Sequence, residues 1–192
     1  ITISMSGMIL LVTYFFSADY ILRIQENNLK VSRVISQKVS ADFQSIIEKM
    51  NIMGTTIRQD FRSRQQKDMF TDLFFINDKN LLYLGIYERL GNAIIEKKAI
   101  RNKSFFKAQN LGKPDIIKIT NANNKQLIKS FNNEALLLNI SKYIKNPVLA
   151  VVTPYKKGAG NRVQSILIAY ITLDKLALAF HKGSCISTTY MI

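Results

Sequence analysis

Residues 148–171 read VLAVVTPYKKGAGNRVQSILIAYI, and this stretch decides the fold. Residues 148–153 are apolar and rich in β-branched side chains, which predicts a strand that Pro154 closes. Residues 156–162 make a polar, glycine-containing turn, and residues 165–171 return as a second apolar strand. The stretch therefore predicts a β-hairpin. It is not a phosphate-binding loop, because no Gly-Lys-Ser/Thr follows the glycines.

The sequence on either side of this hairpin adds further short elements. Strands are also predicted at residues 73–76, 81–87, 93–100, 115–121 and 187–192. Short helices are predicted at residues 104–111, 125–131 and 173–180. The polar residues 77–80 predict a hairpin turn between the first two of these strands, and residues 132–145 are ambiguous. About five antiparallel strands with helices on one side form an α+β domain.

A long helical pattern precedes the sheet, over residues 18–67. This segment has no proline, and its only glycine is Gly54. Apolar residues recur there at steps of mostly three and four, namely Ile21, Ile24, Val31, Ile35, Val39, Phe43, Ile46, Met50, Met53, Ile57 and Phe61. Such a helix would extend about 70 Å, so part of it needs a partner outside its own domain. A homodimer through this stripe is the simplest prediction. The alternative is a break near Met53 and Gly54, with both halves packed on the same domain.

The first residues, 1–16, read ITISMSGMILLVTYFF and contain no charged side chain. Sixteen helical residues span about 24 Å, short of a hydrocarbon core of roughly 30 Å. We interpret residues 1–17 as an N-terminally truncated transmembrane helix. A signal peptide is the main alternative, but a basic leading region and a good cleavage site are missing. A buried core helix is the third possibility.

The formal net charge is +14, which raises the question of an anionic partner. The 27 Lys and Arg residues are spread along the whole chain, without a basic run or a nucleic-acid-binding motif. The charge therefore favours a solvated basic surface near anionic lipid headgroups, and nucleic acid is not an expected partner.

Residues that carry chemistry are sparse. Cys185 is the only cysteine and His181 the only histidine, which argues against a disulfide framework, a metal site and a catalytic triad. Asp72, Asp78 and Asp115 are isolated residues without the spacing of a catalytic pair. We expect no enzymatic activity, no metal and no cofactor.

In order and spacing, these elements resemble the Cache family of extracytoplasmic sensor domains. The matching stretches are LFFINDKNLLYLG (residues 73–85), KSFFKAQNLGKPDI (103–116) and PVLAVVTPYKKGAGNRVQSILIAYITLDKLALAF (147–180). The resemblance implies a PAS-like, membrane-distal sensor lobe over residues 68–182. Residues 183–192 would be the first strand of a following lobe that the chain does not contain.

The resemblance also implies a function and a location. The chain would be the ligand-sensing region of a bacterial receptor in the inner (cytoplasmic) membrane, with the sensor domain in the periplasm or outside the cell. The output module, for which a nucleotide cyclase is one candidate, would lie outside this chain. The alternative function is a membrane-anchored structural or partner-docking protein without a small-molecule ligand.

Cache lobes that bind amino acids carry an R-x-W-Y-x-x-A stretch beside the pocket, and its equivalent here begins at Lys103. Lysine replaces the arginine, and Phe105 and Phe106 replace the tryptophan and tyrosine. Lysine lacks the bidentate clamp of arginine, so an apolar or anionic ligand, or none, fits at least as well as an amino acid. The candidate ligand-binding residues are Tyr83, Arg101, Lys103, Phe105, Phe106, Tyr155 and Tyr170. Arg101 and Lys103 would hold an anion, and the rings would pack against an apolar body.

Overall fold

The structure is a computed structural model that describes residues 2–58, 63–157 and 163–173. The chain divides into two compact units, and the second of them comprises Phe43–Ala177. The fold is α+β, with a long N-terminal helix and a five-stranded antiparallel sheet. The predicted turn at residues 158–162, most of the helix at 173–180 and the strand at 187–192 lie outside the described residues.

The long helix predicted over residues 18–67 is confirmed in part. It corresponds to α1, Thr2–Arg58, whereas residues 59–62 lie outside the described residues and a separate helix begins at Arg64. Helix α1 continues through Gly54 without a break, so the alternative of two separate halves is wrong. Among the described residues, no helix combines the length and apolarity that crossing a membrane requires.

The second helix, α2, covers Arg64–Asn77 and replaces the strand predicted at residues 73–76. Its first turn is capped by Ser63, whose Oγ accepts a hydrogen bond from the Gln66 N–H at 3.2 Å. Within the apolar run Phe75 is buried, whereas Leu73 and Ile76 are exposed. The run therefore has helical sidedness, and a short apolar run alone does not distinguish a helix from a strand.

The sheet has the strand order β2-β1-β5-β4-β3, and every neighbouring pair is antiparallel. Its strands are β1 Leu81–Leu90, β2 Ala93–Arg101, β3 Leu136–Asn139, β4 Val148–Lys157 and β5 Val163–Thr172. The strands predicted at residues 81–87, 93–100, 148–153 and 165–171 all lie within these elements. Pro154 does not end β4 as predicted, because it pairs opposite Ile166 where the register then shifts. A bulge is a position where a strand tolerates proline.

Three short helices, α3 Lys103–Ala108, α4 Lys113–Ala122 and α5 Asn124–Ser130, lie between β2 and β3. The predicted helices at residues 104–111 and 125–131 correspond to α3 and α5. The strand predicted at residues 115–121 is wrong, because this segment is helical in α4. Gly112 caps that helix, and the Asp115 carboxylate accepts the Gly112 N–H at 2.7 Å. Ile116, Ile119 and Thr120 are buried at the three- and four-residue spacing of one helix face.

Two apolar clusters cover the two faces of the sheet. One includes Tyr83 and Ile168 from the sheet and Ile116 and Leu127 from the short helices. The other includes Leu84 and Leu167 from the sheet, Phe75 from α2, and the α1 residues Met50, Met53 and Ile57. Alternate residues of β1 and β5 thus face different helices, as the two-residue period of a strand requires.

Candidate functional site

Three buried tyrosines, Tyr83, Tyr87 and Tyr170, form a tyrosine cluster between the sheet and the short helices. The rings of Tyr83 and Tyr170 stack with centroids 4.8 Å apart, and the Phe106 ring lies 6.3 Å from that of Tyr83. Aromatic rings at these separations attract each other beyond their area of burial. Three of the predicted ligand-binding residues therefore come together, in the core of the domain.

The tyrosine hydroxyls share one carboxylate. Tyr83 donates to Glu96 Oε2 at 2.6 Å, and the hydroxyls of Tyr83 and Tyr87 lie 2.6 Å apart. Burial raises the pKa of Tyr83 well above its usual value, and the charge interactions with Tyr87 and Glu96 raise it further. Burial also raises the pKa of Tyr87 and of Tyr170. The cluster is therefore a neutral set of phenols held in place by a half-buried carboxylate.

The space beside the tyrosine cluster is nearly filled. A void of about 10 Å³ lies between Tyr170, Thr120 and Leu138, which is about the volume that one water needs. This void is too small for a ligand body, so the role of Tyr83 and Tyr170 in packing one stays a prediction.

A wider cavity lies at the outer side of α3, and we call it the basic hollow. Its volume is about 340 Å³, and it is lined by Arg101, Lys103, Phe106, Lys107, Leu111, Gly112 and Lys113. It brings together three predicted site residues, Arg101, Lys103 and Phe106. Sequence reasoning did not select Lys107 and Lys113. Their position just before and just after the predicted helix stop at Gly112 is the signal that could have found them.

The wall of the basic hollow is fixed by backbone hydrogen bonds. Leu111 N–H donates to the Phe106 carbonyl at 2.9 Å, and Asn110 N–H donates to the Lys107 carbonyl at 3.2 Å. Asn110 has a φ of 52°, the left-handed conformation that this pair of bonds requires at a helix C-terminus. Asn102 caps the other end of α3 by accepting the Phe105 N–H at 3.0 Å. The hollow is therefore built on a helix that is capped at both ends.

The cations of the basic hollow differ in their partners. The Lys103 ammonium lies 2.9 Å from the Asp68 carboxylate and 3.9 Å from that of Asp72, both on α2. Arg101, Lys107 and Lys113 make no ion pair with any residue that the structure describes. The predicted anion-binding role of Lys103 is thus shared with an ion pair, and the hollow keeps an excess of positive charge.

A second hollow, of about 350 Å³, lies at the opposite face of α3. Phe105, another predicted site residue, lines it together with Asn102, Ser104, Asn146 and Thr172. The Thr172 hydroxyl is buried and has no hydrogen-bond partner among the described residues. The lining of this hollow mixes polar and apolar side chains, and Lys79 is the one charged residue that the structure describes in it.

Tyr155 is separated from the other candidates. It packs with Leu167 in the cluster that faces α1, across the sheet from Tyr83 and Tyr170. A β-carbon added at Gly54 would lie 3.0 Å from Leu167 and 3.1 Å from the Tyr155 ring, so α1 approaches the sheet closely there. Tyr155 therefore supports the contact with α1 and lines neither hollow.

The described residues contain no group of three His, Cys, Asp or Glu side chains that could hold a metal ion. The arrangement in the basic hollow is suited to holding an anion by charge. No protein-family model matches the chain, and the curated proteins include no significantly similar sequence.

Proposed function

We propose that this chain is the extracytoplasmic ligand-sensing region of a bacterial transmembrane receptor, with a PAS-like domain of the Cache type. A small molecule would bind beside α3, and the output module, a nucleotide cyclase being one candidate, would lie elsewhere in the receptor. The α+β architecture supports this proposal, because a long N-terminal helix and a five-stranded antiparallel sheet agree with the fold that the resemblance implies.

The observation that carries the proposal is the contact between α1 and the sheet. Met50, Met53 and Ile57 of α1 are 1%, 7% and 2% exposed, and they pack on the face opposite the tyrosine cluster. The Lys49 ammonium adds an ion pair with Asp78 at 2.6 Å. A single sheet thus carries the short helices on one face and α1 on the other.

This arrangement allows a bound ligand to affect the packing of α1. Tyr83 faces the short helices, and its neighbour Leu84 faces α1, so a shift of β1 alters both contacts. A ligand that favours one position of α3 would bias the position of β1 and hence the packing of α1. In a receptor, α1 would lead toward the membrane through the uncharged residues 1–17.

The homodimer belongs to the same proposal, but fewer residues of the apolar stripe are available for its seam than the sequence predicts. Phe43 and Ile46 pack beside the sheet cluster of their own domain, as do the later stripe residues. The stripe residues left for a dimer seam are Ile21 and Ile24, which are 54% and 38% exposed, and Val31, Ile35 and Val39, which are half-buried. Val34 is 63% exposed and lies off the stripe.

Two fusions test the location. Alkaline phosphatase, which folds only after export, and green fluorescent protein, which fluoresces in the cytoplasm, would each be joined after Ile192 in a bacterial host. The proposal expects phosphatase activity without fluorescence. Fluorescence without phosphatase activity would overturn the extracytoplasmic location.

Disulfide trapping tests the dimer. In a Cys185→Ser background, Ile35→Cys should form a crosslinked dimer in membranes, and the matched control Val34→Cys should not. Equal crosslinking of both variants, or none of either, would contradict a seam through Ile35. An exported chain without this dimer would favour the partner-docking alternative.

A further inference from the structure

We propose that the basic hollow binds a small organic dianion, a compound with at least two carboxylate or phosphate groups and no ammonium group. This inference rests on the proposed sensory function, because it names the class of ligand that such a sensor would detect. The binding residues would be Arg101, Lys107 and Lys113, with Phe106 and Leu111 beneath the ligand's carbon atoms.

The charge balance of the hollow points to more than one negative charge. Four cationic side chains line it, and within the part of the chain that the structure describes only Lys103 has an ion-pair partner, Asp68 at 2.9 Å. The nearby Asp115 carboxylate is engaged by the Gly112 N–H at 2.7 Å, as part of the α4 cap. Like charges around one hollow repel each other, and an anion with a single charge would balance only part of them.

The same balance disfavours an amino acid. An ammonium group needs a carboxylate or carbonyl acceptor. The carboxylates of Asp68 and Asp72 already face Lys103, and that of Asp115 already accepts the Gly112 N–H. A zwitterion would place its cation among Arg101, Lys107 and Lys113. The hollow therefore selects against the ligands that the R-x-W-Y stretch serves in other Cache lobes.

The apolar part of the lining limits the ligand's size. Phe106 is 4% exposed and Leu111 is half-buried, so they offer a small apolar surface. A volume of about 340 Å³ lies at the lower end of the range for small-molecule sites. A dianion with a short carbon chain fits this combination.

The surrounding surface would also attract an anion. Between residues 101 and 133 the only acidic residue is Asp115, whereas the basic residues are Arg101, Lys103, Lys107, Lys113, Lys118, Lys125 and Lys129. A surface of one sign raises the local concentration of the opposite ion and speeds its association.

Isothermal titration calorimetry of the full chain tests the inference with four probes. Succinate and citrate represent carboxylates, 3-phosphoglycerate represents phosphate esters, and succinamide is the uncharged analogue of succinate. We expect saturable binding of at least one anion, weakened by added salt, and no binding of succinamide. Binding of the carboxylates alone would assign a polycarboxylate ligand, and binding of the phosphate ester alone would assign a phosphorylated one. Failure of all three anions to bind, or equal binding of succinamide, would overturn the inference.

Paired variants then locate the site. Lys107→Gln and Lys113→Gln should each weaken binding roughly tenfold, because each removes a charge-assisted contact. Lys118→Gln is the matched control, since Lys118 is an exposed cation of the same layer that does not line the hollow. A loss of affinity in Lys118→Gln as large as in Lys107→Gln would mean that only the general charge attracts anions, and the assigned site would be wrong.

The outcome of the anion titration can be distinguished from the outcome of the tests of the proposed function. Anion binding in a chain that the fusions place in the cytoplasm would leave this ligand site standing while the receptor proposal fails. An exported, dimeric chain that binds none of the anions would leave the receptor proposal standing without this ligand class.

Discussion

Replacing Gly85 by alanine is expected to destabilise the domain strongly, although alanine usually suits a strand better than glycine. Gly85 lies on β1 between Tyr83 and Tyr87, and both rings fold over it. A β-carbon there would overlap Tyr83 Oη and would lie 2.8 Å from Tyr87 Cε2. The two tyrosines are 1% and 2% exposed, so neither ring can rotate into solvent.

The magnitude follows from three effects. Overpacking of a core costs about 1–3 kcal/mol, and loss of the hydrogen bond from Tyr83 to the Glu96 carboxylate costs about 1.5–3 kcal/mol. The smaller conformational entropy of the unfolded alanine chain offsets about 0.4–1 kcal/mol. We therefore expect Gly85→Ala to lower the free energy of unfolding by about 1.5–5.5 kcal/mol.

Urea denaturation followed by circular dichroism measures this loss. Gly91→Asn is the control, because Gly91 has a φ of 62° and no atom within 4 Å of an added β-carbon. Asparagine tolerates that conformation, so its cost should stay below about 1 kcal/mol. In the double variant Tyr83→Phe/Gly85→Ala the closest contact is relieved, and the total loss should be smaller than the sum of the single losses. A Gly85→Ala chain as stable as the unmodified chain would refute the reasoning.

Three further predictions concern the core, α3 and alkaline pH. Met50→Ala should lower the free energy of unfolding by about 2–5 kcal/mol, and Ile52→Ala, at a residue 66% exposed, should change it little in the same urea titration. Asn102→Ala should lower the free energy of unfolding by about 1 kcal/mol, because it removes the α3 cap, whereas Asn102→Asp should retain most of that stability. Equal losses in the two variants would exclude capping as the cause. Because the folded-state pKa values of the tyrosine cluster are raised, its stabilisation is complete below the unfolded pKa of about 10 and falls as pH rises above it. Stability measured between pH 9 and 12 should therefore fall less steeply in Tyr87→Phe, and an unchanged slope would contradict this linkage.

The sequence predicted those elements whose pattern has one interpretation. The long helix and the strands at residues 81–87 and 165–171 follow from sustained helical periodicity and from runs of β-branched residues. The two misread segments, 73–76 and 115–121, are short and apolar, and in both cases a cap made them helices. Ser63 and the pair of Gly112 and Asp115 supply those caps, and a cap signal several residues upstream outweighed the local run.

The candidate site was predictable only in part, for a related reason. The stretch that begins at Lys103 forms α3, which contributes residues to both hollows. Which ring faces a hollow and which fills the core depends on the helix face and on strand pairing. Tyr83 pairs opposite Tyr170 and Arg101 in the sheet, and no local pattern reveals contacts across such separations.

The pairing of β1 with β5 also governs when the domain can form during synthesis. β1 is the first strand of the sheet to be made and β5 the last, and they are neighbours at its centre. Until β5 leaves the ribosome, one edge of β1 stays unpaired and Tyr83 lacks the ring on which it stacks. Sheets closed by such distant pairings fold slowly and expose open edges meanwhile. Any shortened version of this protein that ends before Val163 would therefore lack a central strand, and it would be prone to aggregate.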